Sequence, residues 1–263
     1  MEYQLKPSFI LDTWNLFIRS LKTTLRSPFT YIPNLIISLF FLMVYQGGLS
    51  GIASLPVFAG ASYLAFILPV SIVSGAIGGS GGAGQALVSD IEKGYFSRLL
   101  LTPVSRASIV LGPILAGMLQ LLVQTILILL VGILMGLKIQ TGFLGAFVVV
   151  LMAAGFGLGF AGYSVAFALR TKNAQASQAG TFIFFPLIFL SSTFVPKELI
   201  EVQWLKVAAT INPTTYIFEG MRSVLIKGWE FQPLLQAGIA IGLLCLITLT
   251  FAIVSAKRAV SQD

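Results

Sequence analysis

The sequence contains no histidine and a single cysteine, Cys245. Without histidine, the Ser-His and Cys-His arrangements of nucleophilic enzymes and histidine-ligated metal sites are excluded. One cysteine also excludes an internal disulfide framework and a thiolate metal site. The sequence therefore argues against a membrane-embedded hydrolase.

Charged residues are scarce as well. Only 10% of the 263 residues are charged and 57% are hydrophobic, with a mean hydropathy of +0.95, whereas soluble domains carry about 25% charged residues. One helical crossing of a membrane needs about 20 apolar residues. The first uncharged run is interrupted near residues 47–51 and fits two crossings, and each of the others fits one. The uncharged runs cover 27–89, 107–137, 139–169, 173–196 and 231–256.

This pattern predicts an all-α polytopic membrane protein with six transmembrane helices. None of the six predicted spans contains Asp, Glu, Lys, Arg or His. A secondary carrier normally places ionisable residues inside its spans, so that alternative is disfavoured. The predicted spans are Phe29–Tyr45, Phe58–Gly82, Ile109–Gly136, Phe143–Leu169, Ala179–Phe194 and Pro233–Val254.

The basic residues predict the orientation. With both termini in the cytoplasm, eleven of the 16 Lys and Arg residues lie inside and five outside, as the positive-inside rule requires. The expected location is the cell membrane. The net charge of +7 is spread over short loops, which does not indicate nucleic-acid binding. The five outside are Lys138, Lys197, Lys206, Arg222 and Lys227.

The segment 8–27 precedes the first span and predicts an amphipathic interface helix. Arg19, Lys22 and Arg26 recur on one face, and Trp14 and Ile18 occupy another. Such a helix suits the inner membrane surface. It acts either as an anchor or as a contact surface for a cytoplasmic partner.

Glycines recur at several points of the spans. Gly79–Gly84 has the spacing of a phosphate-binding loop, but Gln85 and Ala86 stand where that loop requires Lys and Ser or Thr. We therefore expect no nucleotide or other cofactor in this chain and a loosened helix end instead. Glycine pairs at four-residue spacing predict close helix packing: Gly75/Gly79, Gly132/Gly136, Gly155/Gly159 and Gly238/Gly242.

The loop 89–106 between the second and third spans reads as a short amphipathic element. Asp90 and Glu92 lie near its start, Arg98 near its end, and Pro103 terminates it. A plain solvated loop is the alternative. The predicted apolar anchors are Tyr95, Phe96, Leu99 and Leu100.

The segment 195–232 before the last span is too long and apolar for a simple loop, yet too charged for a full crossing. Asn212-Pro213 divides it into two short apolar stretches. It predicts a re-entrant outer helical hairpin, with a helical cap on the outer surface as the alternative.

The stretch from Asp90 to Arg106 ends in Leu-Leu-x-Thr-Pro-x-Ser-Arg and resembles the cytoplasmic signature of type-2 ATP-binding-cassette (ABC) transporter permeases. The outer segment also resembles that of the same family in the order of Pro196, Asn212-Pro213 and Arg222. Within the family, the chain most resembles the drug-exporter branch. The whole chain, 1–263, then reads as one permease domain.

This resemblance implies a non-catalytic permease of an exporter for a hydrophobic or amphiphilic substrate. Its expected partners are a separate ABC ATPase subunit, which binds ATP and magnesium, a second permease copy or a similar permease, and membrane lipids. Export of a polysaccharide or glycolipid is the alternative within the family.

The resemblance also implies roles for individual residues. The loop would form a coupling helix whose apolar anchors fill a cleft of the ATPase, and Glu92, Arg98 and Arg106 would make charged contacts. The implied ATPase-coupling residues are Asp90, Glu92, Gly94, Tyr95, Phe96, Arg98, Leu99, Leu100, Thr102, Pro103 and Arg106. The implied outer-gate residues are Pro196, Asn212, Pro213, Glu219 and Arg222.

Overall fold

The computed structural model describes residues 8–26, 28–49, 51, 62–194 and 197–259. Within these ranges the chain is helical and contains no β-strand, which confirms the predicted all-α class. A 3-10 turn at Lys197–Leu199 precedes α10, and a π-helical turn at Ser223–Lys227 follows α11. The α-helices are α1 Phe9–Leu25, α2 Pro28–Leu49, α3 Tyr63–Gly78, α4 Gly82–Glu92, α5 Tyr95–Leu100, α6 Arg106–Leu134, α7 Gly142–Thr171, α8 Ala174–Phe182, α9 Phe184–Phe189, α10 Gln203–Ile211, α11 Pro213–Arg222 and α12 Phe231–Ala259.

Four helical stretches of the described chain are long and apolar enough to cross a membrane. Each has 28 to 30 residues, more than the roughly 20 that a crossing needs. They correspond to the second, third, fourth and sixth predicted spans. The stretches are Tyr63–Glu92, Arg106–Leu134, Gly142–Thr171 and Phe231–Arg258.

The first and fifth predicted spans differ from these four. The apolar helix at the first, Ile32–Gly48, is shorter. The fifth is divided into α8 and α9. Pro186 of α9 favours the division, because it has no N–H to bond the Phe182 carbonyl and its ring conflicts with that carbonyl. The count of six crossings therefore remains a prediction.

In the described part of the chain, two hydrophobic cores hold the helices together. The larger core surrounds α3, whose side chains from Tyr63 to Val73 are all buried, and it draws residues from α2, α6, α7 and α11. The smaller core lies beyond the end of α3, where α1, α4, α5, α6, α7 and α12 meet. Large apolar side chains remain exposed along α2, α6, α7 and α12, as suits helices that face lipid.

Gly155 and Gly159 bring α7 close to α12, as predicted for that glycine pair. A Cβ atom on Gly155 or Gly159 would contact Ile241 or Leu244 of α12, so both glycines permit close packing. Gly238 and Gly242 have open space at their Cβ positions. No close contact forms at Gly238 and Gly242 within the described residues, so close packing of that pair stays a prediction.

Candidate functional site

The segment 89–106 contains a short helix, as the sequence predicts. α4 ends at Glu92, and Gly94 then turns the chain with φ of +69°, a conformation that costs glycine little. α5 follows, and the Thr102 hydroxyl donates to the Leu99 carbonyl at 2.6 Å where α5 ends. Ser105 caps α6 by accepting a hydrogen bond from the Ser108 N–H at 3.1 Å.

Phe96 faces the interior of the protein. Its side chain is only 7% exposed and belongs to the smaller core, together with Leu16 of α1, Leu87 of α4 and Val165 of α7. The expectation that Phe96 fills a partner's cleft is therefore wrong for this arrangement, because the ring is already covered. Leu99 and Leu100 are half-buried against the same core.

The opposite face of the segment is open. Leu101 is 88% exposed, and Glu92, Arg98, Thr102, Pro103 and Arg106 are exposed beside it. Sequence reasoning did not select Leu101. The helical period indicates that Leu101 and Phe96 lie on different faces. Arg98 and Leu101 are three residues apart and share one face, whereas Phe96 and Leu100 share the other. The available contact surface is thus centred on Leu101.

An ion pair joins this segment to α1. The Arg19 guanidinium donates from both terminal nitrogens to the two Asp90 carboxylate oxygens, each at 2.7 Å, and it stacks over the Tyr95 ring at 3.6 Å. The hydrogen bonds to Asp90 raise the pKa of Arg19 above its usual value, although partial burial opposes this rise. Asp90 and Tyr95 therefore hold α1 against α4 and α5.

The helical path between α3 and α4 is interrupted at residues 79–81, near the predicted loosened end. Ser164 of α7 donates to the Gly81 carbonyl at 2.5 Å and accepts from the Gly84 N–H at 3.2 Å. Ser80 donates to the Gly117 carbonyl of α6 at 3.1 Å. Backbone groups inside a membrane need such partners, so α6 and α7 stabilise the interruption.

A polar contact inside the bundle was missed by sequence reasoning, which considered only ionisable residues. The Gln124 side chain of α6 donates to the Ser38 hydroxyl of α2 at 2.8 Å. Gly75 of α3 makes room for it, because a Cβ there would collide with Gln124. The feature of the sequence that indicates this contact is a glutamine within an apolar helix. This hydrogen bond joins α2 to α6.

At the other end of α3, Asn212 and Pro213 begin α11. The Asn212 side-chain oxygen accepts from the Thr214 N–H at 3.0 Å, and its amide nitrogen donates to the carbonyls of Leu187 and Leu190. Asn212 is thus both the N-cap of α11 and a link to the end of α9. Pro213 occupies the first helical position, where its missing N–H costs nothing.

Arg222 is buried at the end of α11, with only 6% of its surface exposed. Its guanidinium donates to the Phe66 carbonyl of α3 at 2.9 Å, to the Ser192 carbonyl at 2.5 Å and to the Thr193 carbonyl at 3.0 Å. It also lies 3.5 Å from the centroid of the Phe66 ring. Arg222 therefore ties α11, α3 and the 191–194 turn together.

Glu219 and Arg222 do not share partners. The Glu219 carboxylate is 3.4 Å from the Lys197 ammonium, whereas the partners of Arg222 are backbone carbonyls and the Ser192 hydroxyl. Pro196, the remaining predicted gate residue, lies outside the described residues. In the described part of the chain, no group of three or more His, Cys, Asp or Glu side chains is placed to hold a metal ion.

Comparison with known families shows the family of the chain. The family model for the ABC-2 type transporter matches residues 12–226. The chain belongs to the ABC-2 type transporter family. Together with the apolar helices, this membership makes it a multi-pass membrane permease of an ABC transporter.

Three relatives show which proteins this ABC-2 type permease is similar to. Over 167 residues it is 27% identical to the daunorubicin resistance ABC transporter permease protein DrrB1 of Streptomyces coeruleorubidus, covering 62% of this chain and 58% of that protein. Over 251 residues it is 24% identical to the probable doxorubicin resistance ABC transporter permease protein DrrC of Mycobacterium tuberculosis, covering 95% and 90%. Over 177 residues it is 27% identical to the putative transport permease ycf38 of Cyanophora paradoxa, covering 65% and 59%.

Proposed function

We propose that this ABC-2 permease is the membrane subunit of an ATP-driven exporter that moves a hydrophobic or amphiphilic substrate out of the cell. ATP and magnesium would bind to a separate ATPase subunit, and two permease copies would enclose the route. The drug-resistance names of two relatives support an amphiphilic cargo. Long apolar helices are also consistent with a cargo that enters from the bilayer.

The exposed face of the 89–106 segment carries the proposal. Leu101, Arg98 and Arg106 are exposed on a short element whose other side is fixed in the smaller core through Phe96. A partner that contacts Leu101 would therefore push on α1, α4, α6 and α7 together. A solvated loop has no reason to be anchored in this way.

The proposed motion passes from α5 into α4 and reaches α3 through the interruption at residues 79–81. The other end of α3 contacts Arg222 through the Phe66 carbonyl and ring. About 12 residues, or roughly 18 Å, separate Phe66 from the interruption. Asn212, Pro213, Glu219 and Arg222 would form the outer gate, which responds when α3 moves.

The coupling proposal is tested with the double variant Leu101→Ala/Arg98→Ala. Both side chains are exposed, so the permease should insert and fold normally. Loss of a partner-facing anchor worth about 2 kcal/mol would weaken association with the ATPase about thirtyfold. The measurement is copurification of the ATPase subunit together with cargo efflux at matched permease abundance.

Leu134→Ala is the matched control, because Leu134 is 86% exposed and lies at the far end of α6. It should leave ATPase binding and efflux intact. If the double variant retains both ATPase binding and efflux, the coupling role of this face is refuted.

The gate proposal is tested with Glu219→Gln/Arg222→Gln. Removing the Arg222 cation breaks its contacts with α3 and the 191–194 turn, so the basal ATPase activity of the complex should change. Unchanged basal turnover and transport would contradict the gate and favour a surface cap.

The proposed topology places both termini in the cytoplasm and Lys197 outside. In a Cys245→Ser background, a membrane-impermeant thiol reagent applied to intact cells should label Lys197→Cys but not Lys93→Cys. The reverse labelling pattern would overturn this orientation.

A further inference from the structure

α1 presents three different faces around its axis. At 100° per residue, the first face carries Thr13, Leu16 and Ser20 and packs against α6. Leu16 and Ser20 are buried, and the Thr13 hydroxyl donates to Ser108 of α6 at 3.0 Å. This face is therefore already occupied within the chain.

The second face of α1 is apolar and exposed. Ile10 is 79% exposed, and Trp14 and Leu25 are more than half exposed. These residues lie within a sector of about 60° on the helical wheel. Large apolar side chains grouped in this way favour the boundary between acyl chains and headgroups.

The third face lies directly beside the apolar one and is basic. Lys22 and Arg26 are exposed and line an open groove of about 560 Å³ with Trp14, Ile18 and Arg19. Arg19 is engaged by Asp90. Among the described residues, no carboxylate forms an ion pair with Lys22 or Arg26.

We propose that this groove on α1 binds the headgroup of an anionic phospholipid, with the phosphate between Lys22 and Arg26 and the acyl chains against the apolar face near Trp14 and Leu25. The apolar face places the helix in the plane of the bilayer, and the basic face then lies at headgroup depth. One lipid meets both because it carries both chemistries.

The inference does not depend on transport, and it can be tested on the purified full-length chain. Replacing Trp204 and Trp229 with Phe leaves Trp14 as the sole tryptophan. The chain is reconstituted into vesicles of phosphatidylcholine that contain either brominated phosphatidylglycerol or brominated phosphatidylcholine. Quenching of Trp14 fluorescence then gives the relative association constants of the two lipids.

We expect brominated phosphatidylglycerol to be favoured by up to about 25-fold, from two basic residues. Each basic residue near an anionic surface contributes about a fivefold preference, so Lys22→Gln/Arg26→Gln should bring the ratio close to one. Lys138→Gln/Lys206→Gln removes the same charge from exposed residues elsewhere and should leave the ratio unchanged. Lys22→Arg/Arg26→Lys should also retain it.

High salt provides a measurement that does not depend on the variants. Raising NaCl to about 1 M shortens the Debye length to about 3 Å, so the lipid preference of the unaltered groove should fall. Equal quenching by both lipids would overturn the proposal. So would a preference that persists in Lys22→Gln/Arg26→Gln, or a Trp14 that neither lipid quenches because a second copy of the chain covers it.

Discussion

Replacing Phe96 with alanine should destabilise the whole permease. The ring is 93% buried where α5 meets α1, α4, α6 and α7, and deleting a buried phenylalanine side chain typically costs about 3–5 kcal/mol. For a chain of about this size, each kcal/mol corresponds to about 2–4 °C. The midpoint of thermal unfolding in nanodiscs should therefore fall by roughly 6–20 °C.

The matched control for this prediction is Phe143→Ala, which makes the same change at a side chain that is 85% exposed. It should shift the unfolding midpoint little, because no packed cavity is created. Phe96→Leu should recover part of the loss because it refills part of the volume. If Phe96→Ala unfolds at the same temperature as Phe143→Ala, Phe96 is not a core residue. The hypothesis that Phe96 contacts the partner subunit would then be favoured again.

Three further predictions concern contacts between helices. A double-mutant cycle with Arg19→Ala and Asp90→Ala should show a coupling energy of about 1–2 kcal/mol in thermal unfolding, because the pair is bidentate and partly buried; additive losses would contradict this. Asn212→Ala should cost about 1 kcal/mol through loss of the α11 cap, and an unchanged midpoint would argue against that role. Gly84→Ala should destabilise because its Cβ would meet the Ser164 backbone carbonyl at 2.5 Å; helix propensity alone predicts a gain of about 1 kcal/mol, so a rise in the midpoint would refute the packing argument.

The membrane class, the helical content and the position of α5 could be predicted from the sequence. These features depend on local properties: the length of the uncharged runs, the helical period of α1, and the glycine and proline at residues 94 and 103. The division of the fifth predicted span has a local contribution from Pro186. Proline alone does not predict such a division, because Pro33, Pro69 and Pro113 lie inside helices that continue past them.

The tertiary structure decided which faces are covered and which polar groups meet. Periodicity separates Phe96 from Leu101, but it does not tell which of them is buried, because that depends on the helices packed around α5. Asp90 meets Arg19 across 71 residues of chain, and Arg222 meets Phe66 across 156. Such partners are chosen by packing between distant helices, so the composition of either segment alone does not reveal them.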